Sequence, residues 1–195
     1  RVLDVAGVRR AFVAGASMGG MIAQNFALLY PERVRGLVLM ATTPGLPHGH
    51  LPALSTLGTL VTIPMKRGRD AGRALAQLLL PPEAHANARE ILRDWPAAMA
   101  AEKRHLSTFA AHMGAIATHS TARRLPKLRV PVHVMTGDSD ILVPPENSEL
   151  IAKLIPGATF ERVPKTGHAI TAFDRELVGR ALDGVRERAN RTSVD

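Results

Sequence analysis

The sequence predicts an α/β fold, a parallel sheet of about four strands interrupted by a helical insertion. Three observations predict it. A short apolar run at 11–14 passes through Gly15-Ala16-Ser17-Met18-Gly19 into a segment with apolar residues at 18, 21, 22, 26 and 29, the pattern of strand, sharp turn and amphipathic helix. A second, continuous apolar run at 36–41 completes a strand–helix–strand crossover, which is right-handed in parallel sheets. Two further strand-then-helix patterns follow after 130, beyond a long stretch with helical spacing and no clear strand.

In chain order, 1–8 reads as the tail of a helix, with Val2, Leu3 and Val5 apolar and Gly7 as its stop. A chain opening on a helix tail is expected to be preceded by more protein. Small residues are expected around Ser17, with Gly15 and Gly19 letting strand and helix approach and Gly20 extending that clearance. The helix runs to about Leu29 and ends before Pro31. After 41 the chain leaves the sheet through Thr42, Thr43, Pro44 and Pro47.

From 51 to 120 helical spacing dominates, as in Leu75, Leu78 and Leu79, or Ile91, Leu92 and Trp95, with breaks at Pro64, Pro81-Pro82 and Pro96. Three or four helices are expected there, over the sheet end that carries Ser17. Strand pattern returns at 130–136, then Gly137-Asp138-Ser139-Asp140, then a helix entry at Pro144-Pro145 running to about Ile155. A last short strand occupies 158–163, and Gly167-His168 sits on the loop after it. One closing helix is expected, with Phe173, Leu177, Val178, Ala181, Leu182 and Val185 on one face, and a polar, frayed end at 190–195. The organisation is therefore a first part of the core at 1–50, the insertion at 51–120 and a second part of the core at 121–195.

Composition excludes several function classes. The chain has 195 residues, 46% of them hydrophobic, enough for one core. No run approaches the roughly 18 apolar residues of a membrane helix, and nothing near Arg1 has the order of a signal peptide, so a soluble globular protein is expected. There is no cysteine, which removes disulfides, thiol nucleophiles and thiolate metal sites and fits a reducing cytoplasm. The net charge of +8 would favour anionic partners, but the basic residues are scattered and aromatics are only 4%, so no nucleic acid is expected as a partner. His48 and His50 lack a third ligand at suggestive spacing, and neither a metal nor an organic cofactor is expected.

A serine on a strand-to-helix turn projects its hydroxyl above the sheet edge, and the helix N-terminus offers free N–H groups to an anion. Its hydroxyl needs a base and a third group that fixes the base. Of eight histidines, His168 follows a glycine on a loop after a strand end, where it can reach Ser17. His48 and His50 lie on the loop leaving the sheet, His85, His105, His112 and His119 in helical segments, and His133 inside a strand. Two acids, Asp138 and Asp140, follow the strand at 130–136. The backbone N–H of Met18 is expected to face the negative oxygen of a tetrahedral intermediate.

The stretch from Gly15 to Gln24, followed by Tyr30-Pro31-Glu32-Arg33-Val34 and Gly36-Leu37-Val38-Leu39-Met40, resembles the nucleophile elbow of the α/β-hydrolase fold. It is most similar to small bacterial esterases and lactonases. The resemblance implies Asp140 as the orienting acid, because Gly137, Asp140, Val143 and Pro144 fill the family's arrangement, and Ser17, Asp140, His168 match its nucleophile, acid, base order. It implies that 51–120 is a cap lining the pocket, and that a small-molecule ester or lactone is cleaved through an acyl-enzyme. Carbon–carbon bond hydrolysis and cofactor-free perhydrolysis are the alternatives on the same residues. Serine at the elbow argues against dehalogenase and epoxide hydrolase relatives. Relatives also carry upstream strands and a second oxyanion donor that are not found in this sequence, so the chain is expected to be the C-terminal part of such a fold. That leaves 11–15 as an apolar edge open to self-association or a partner chain. A non-catalytic remnant, or a half-domain needing a partner, is the reading from another class.

Overall fold

A computed structural model describes residues 1–66, 68–93, 105–174 and 176–191, and the chain opens on a one-turn helix, α1 (Val2–Val5). Its sheet has four parallel strands in the order β1 (Ala11–Ala16), β2 (Val34–Met40), β3 (Val132–Gly137) and β4 (Thr159–Val163). Side chains alternate across the sheet, so β2 serves two layers. Leu37 and Leu39, with Val132 and Val134 of β3, pack on α2 (Met18–Leu29) and α7 (Pro145–Leu154) through Ala23, Ala27 and Ile151. Val38, Met40 and Met135 face the other way, onto Leu177, Ala181 and Val185 of α9 (Leu177–Arg191). Helices on both faces explain why the run at 36–41 is uniformly apolar. β1 and β4 form the edges, with Ala14 and Ala16 of β1 exposed.

Four helices occupy the insertion among the described residues: α3 (Leu54–Thr62), α4 (Gly68–Leu79), α5 (Ala88–Ile91) and α6 (Leu106–Thr118). Leu78, Leu79, Ala84 and Leu92 cluster with Ala169 and Phe173, so this segment packs on the chain that follows His168. Its two stems pair with each other. Gly45 and Ser120 form an antiparallel bridge, and Thr121 N–H donates to the Pro44 carbonyl at 2.8 Å. Trp95, Pro96 and residues 192–195, which figure in the expectations above, lie outside the described residues.

Three expectations are corrected. The closing helix is two helices, α8 (Ile170–Phe173) and α9, because Asp174 is extended and its carboxylate accepts the Glu176 N–H at 2.9 Å, starting a new helix. Asn190 and Arg191 belong to α9 rather than to a frayed end. Arg188 ties that turn to the sheet, donating to Thr159 Oγ1 at 2.6 Å and to the Val132 carbonyl at 3.2 Å. Gly19 is not a packing glycine, since a Cβ there would meet no atom within 4 Å beyond its chain neighbours and the backbone of its own helix. Among the described residues no helix is long and apolar enough to cross a membrane.

Candidate active site

Ser17 stands between β1 and α2 with φ 53° and ψ −121°, a conformation that costs a residue with a Cβ free energy. Its N–H donates to the Met40 carbonyl at 2.9 Å, continuing the β1–β2 ladder past the strand. Its carbonyl accepts the N–H groups of Gly20 at 3.0 Å and Met21 at 3.2 Å. Met18 opens α2, in the first turn whose N–H groups have no partner within the helix. The turn is this tight because Gly15 has no side chain: a Cβ there would lie 2.3 Å from the Gly19 carbonyl oxygen.

Asp140 and His168 meet. Asp140 Oδ2 lies 2.8 Å from His168 Nδ1, with the acid side chain fully buried and the imidazole 8% exposed. The other oxygen, Oδ1, accepts the N–H groups of Leu142 and Val143, each at 2.9 Å. A carboxylate fixed by two amides presents an acceptor to the ring, the arrangement that suits a proton on Nδ1 and leaves Nε2 on the far side of the imidazole. Asp138 is engaged elsewhere. It accepts Lys165 N–H at 3.0 Å and the Ser139 hydroxyl at 2.8 Å, pinning the turn before His168. Burial opposes its ionisation, but these bonds hold its carboxyl below the usual range.

The histidine loop is also tied to the insertion. Ala169 N–H donates to the Leu79 carbonyl at 3.0 Å, and a Cβ on Gly167 would sit 2.6 Å from that same oxygen. Ser17, Asp140 and His168 thus follow the C-terminal ends of β1, β3 and β4, the edge where open α/β sheets bind ligands. Among the described residues no hydrogen bond links Ser17 to the Asp140–His168 pair. A cleft of about 450 Å³ on the insertion is lined by Met65, Lys66, Asp70, Arg73, Ala74 and Gln77, and includes none of these three. Among the described residues no group of three or more His, Asp or Glu could hold a metal.

Two buried polar networks escaped the sequence reading. Gln24, fully buried, donates to the Thr43 carbonyl at 3.1 Å and accepts the Thr121 hydroxyl at 2.6 Å. Beside it, Asn25 accepts from Arg124 at 2.9 Å and donates to Met21 O and to His119 Nδ1, each at 3.2 Å. Burial, and then the charge of Arg124, hold the His119 imidazole below the ordinary histidine range against a backbone contact from Thr43. On the other side Asn147, also fully buried, accepts from Thr43 Oγ1 and His50 N–H and donates to the carbonyls of His50 and Pro144. The signals were single polar residues within apolar surroundings, Gln24 on the buried face of a helix and Thr42-Thr43 directly after an apolar strand.

Comparison with known proteins gives the family and the fold. A family model described as alpha/beta hydrolase fold matches residues 1–174. A protein of Azorhizobium caulinodans, whose carbamate hydrolase name is itself provisional, is 31% identical over 189 residues, 94% of this chain and 69% of its own length. A 2-hydroxy-6-oxononadienedioate/2-hydroxy-6-oxononatrienedioate hydrolase of Paraburkholderia phymatum is 31% identical over 170 residues, 86% of this chain and 59% of that protein. The crystal structure of a hydrolase from Pseudomonas aeruginosa superposes with a TM-score of 0.77 at 25% identity, over 94% of this chain and 67% of that one.

Proposed function

Since the chain belongs to the alpha/beta hydrolase fold family, we propose that it is a serine hydrolase cleaving a carboxylic ester or lactone through an acyl-enzyme. The buried Asp140–His168 pair, on the same sheet edge as the strained Ser17, carries this reading. Ser17 Oγ attacks the carbonyl carbon as His168 Nε2 takes its proton. Asp140 holds the ring through Nδ1–H and stabilises the imidazolium. The tetrahedral oxygen faces the Met18 N–H, and collapse passes the proton from Nε2 to the leaving alkoxide. Water then attacks the acyl group with His168 again as base, and the proton returns to Ser17.

The test is covalent labelling of the chain with a fluorophosphonate, read by mass spectrometry and followed by a screen of p-nitrophenyl esters and lactones. Ser17 is expected to take one phosphonyl group, and Ser17→Ala none. A folded chain that stays unlabelled refutes the proposal. A second reading, carbon–carbon bond hydrolysis by the same residues, is favoured by the 31% identity to the dienedioate hydrolase. Turnover of a 2-hydroxy-6-oxo dienedioate with no turnover of esters or lactones would select it.

A further inference from the structure

The strained backbone at Ser17 has a neighbour that also has a positive φ. Ala41, just past the end of β2, has φ 45°, also in the left-handed region that residues with a Cβ rarely occupy. Its N–H donates to the Met135 carbonyl at 2.9 Å, so the strain falls after the last ladder bond, where the chain swings across the top of the sheet. The residue delivered by that swing is Thr42. It is fully buried, and its hydroxyl donates to the carbonyl oxygen of Ser17 at 2.7 Å.

Thr42 is also wedged mechanically. A Cβ on Gly20 would stand 2.6 Å from Thr42 Cβ, so the first turn of α2 is seated directly on this side chain. On its far side, the buried Ser148 hydroxyl of α7, the helix that begins after the Asp140 loop, reaches the Thr42 carbonyl at 3.5 Å. Thr42 therefore lies between the nucleophile's turn and the helix downstream of the acid. The two amides that also reach Ser17 O belong to α2 and move with it. The Thr42 hydroxyl comes from the neighbouring strand and fixes that oxygen to the sheet.

We propose that Thr42 is a positioning residue for the nucleophile: its hydroxyl holds the Ser17 peptide in the orientation that aims Oγ, with the strained Ala41 placing it. The assignment rests on the serine hydrolase reading above. One net hydrogen bond and a small misplacement of a reacting group together give a rate change of about tenfold.

The test compares Thr42→Val, which keeps the shape and removes the hydroxyl, with Thr42→Ser, which keeps the hydroxyl. Rates of fluorophosphonate labelling at Ser17 are measured per folded molecule, with kcat and KM on a p-nitrophenyl ester and thermal midpoints in parallel. Thr42→Val is expected to label and turn over about tenfold more slowly with KM within about twofold, and Thr42→Ser to restore most of the rate. Equal rates per folded molecule in wild type and Thr42→Val, whatever the midpoints, overturn the assignment and leave the hydrolase reading standing. So does a Thr42→Ser rate as low as that of Thr42→Val. If Thr42→Val does not fold while Thr42→Ser folds and labels normally, the hydroxyl serves folding and the assignment also falls. An unlabelled wild-type chain overturns both.

Discussion

The two glycines flanking Ser17 are equivalent in the motif and opposite in the structure. A methyl group on Gly15 would lie 2.3 Å from the Gly19 carbonyl oxygen, 2.6 Å from its carbonyl carbon and 2.8 Å from the Gly20 nitrogen. All three are backbone atoms in the first turn of α2, so no rotamer change relieves the clash, and the helix must retreat by about 1 Å. Overpacking of this kind costs about 1–3 kcal/mol, and near the upper end it lowers the melting midpoint by roughly 5–10 °C in a chain of this size. The same retreat carries Ser17 and Met18 with it, and a displacement of that size costs about 10²-fold in rate. Gly15→Ala should therefore melt early, and its folded fraction should label with a fluorophosphonate about a hundredfold more slowly than wild type.

Gly19→Ala is the counterpart. A Cβ there meets nothing within 4 Å beyond its chain neighbours and its own helix backbone, and alanine is favoured over glycine within a helix by about 0.5–1 kcal/mol. That substitution should raise the midpoint by about 1–4 °C with the labelling rate unchanged. Melting followed by circular dichroism, with labelling timed by mass spectrometry, measures both quantities on the same samples. Gly15→Ala with a wild-type midpoint and rate, or Gly19→Ala destabilised by more than Gly15→Ala, would refute the reasoning.

Asp140→Asn keeps an oxygen for the Leu142 and Val143 amides but turns an N–H toward His168, forcing the other imidazole tautomer; labelling at Ser17 should fall by roughly 10³–10⁴-fold in a folded protein. His119 gives a pH dependence of stability. Asn25, oriented by Arg124 and Met21 O, donates to Nδ1, which must be unprotonated, and burial favours the same neutral form. Its folded pKa lies below the unfolded one, so its stabilisation is fully present above about pH 6.5 and is lost as pH falls from there through the folded value. Urea midpoints at pH 7.5, 6.5 and 5.5 should decline toward acid more steeply in wild type than in His119→Gln. Because His133 is also held low, chiefly by burial, and contributes the same sign, the difference between the two proteins is the quantity that tests the idea.

The order of strands and helices was legible because each is signalled locally. An uninterrupted apolar run at 36–41 requires helices on both faces, and α2 and α9 supply them. The place of His168 on the loop after β4 was legible from the sequence, whereas its expected partner, Asp140 rather than Asp138, came from family spacing. The physical difference is that Asp138 is occupied by Lys165 and Ser139, while Asp140 keeps one oxygen for the imidazole. What escaped the sequence depends on partners far away along the chain. Gln24 meets Thr121 across 97 positions, and Thr43 meets Asn147 across 104. No local period encodes such pairs, since each exists only once the sheet register is set. The same holds for Thr42. From the sequence it is one more small polar residue after a strand, and its contact with Ser17 arises because β1 and β2 pair in a register that sets Ala16 beside Met40, leaving the two strained turns side by side. Strain at Ser17 is thus held by a second strained residue on the neighbouring strand, and a motif confined to one of those strands can identify only half of the arrangement.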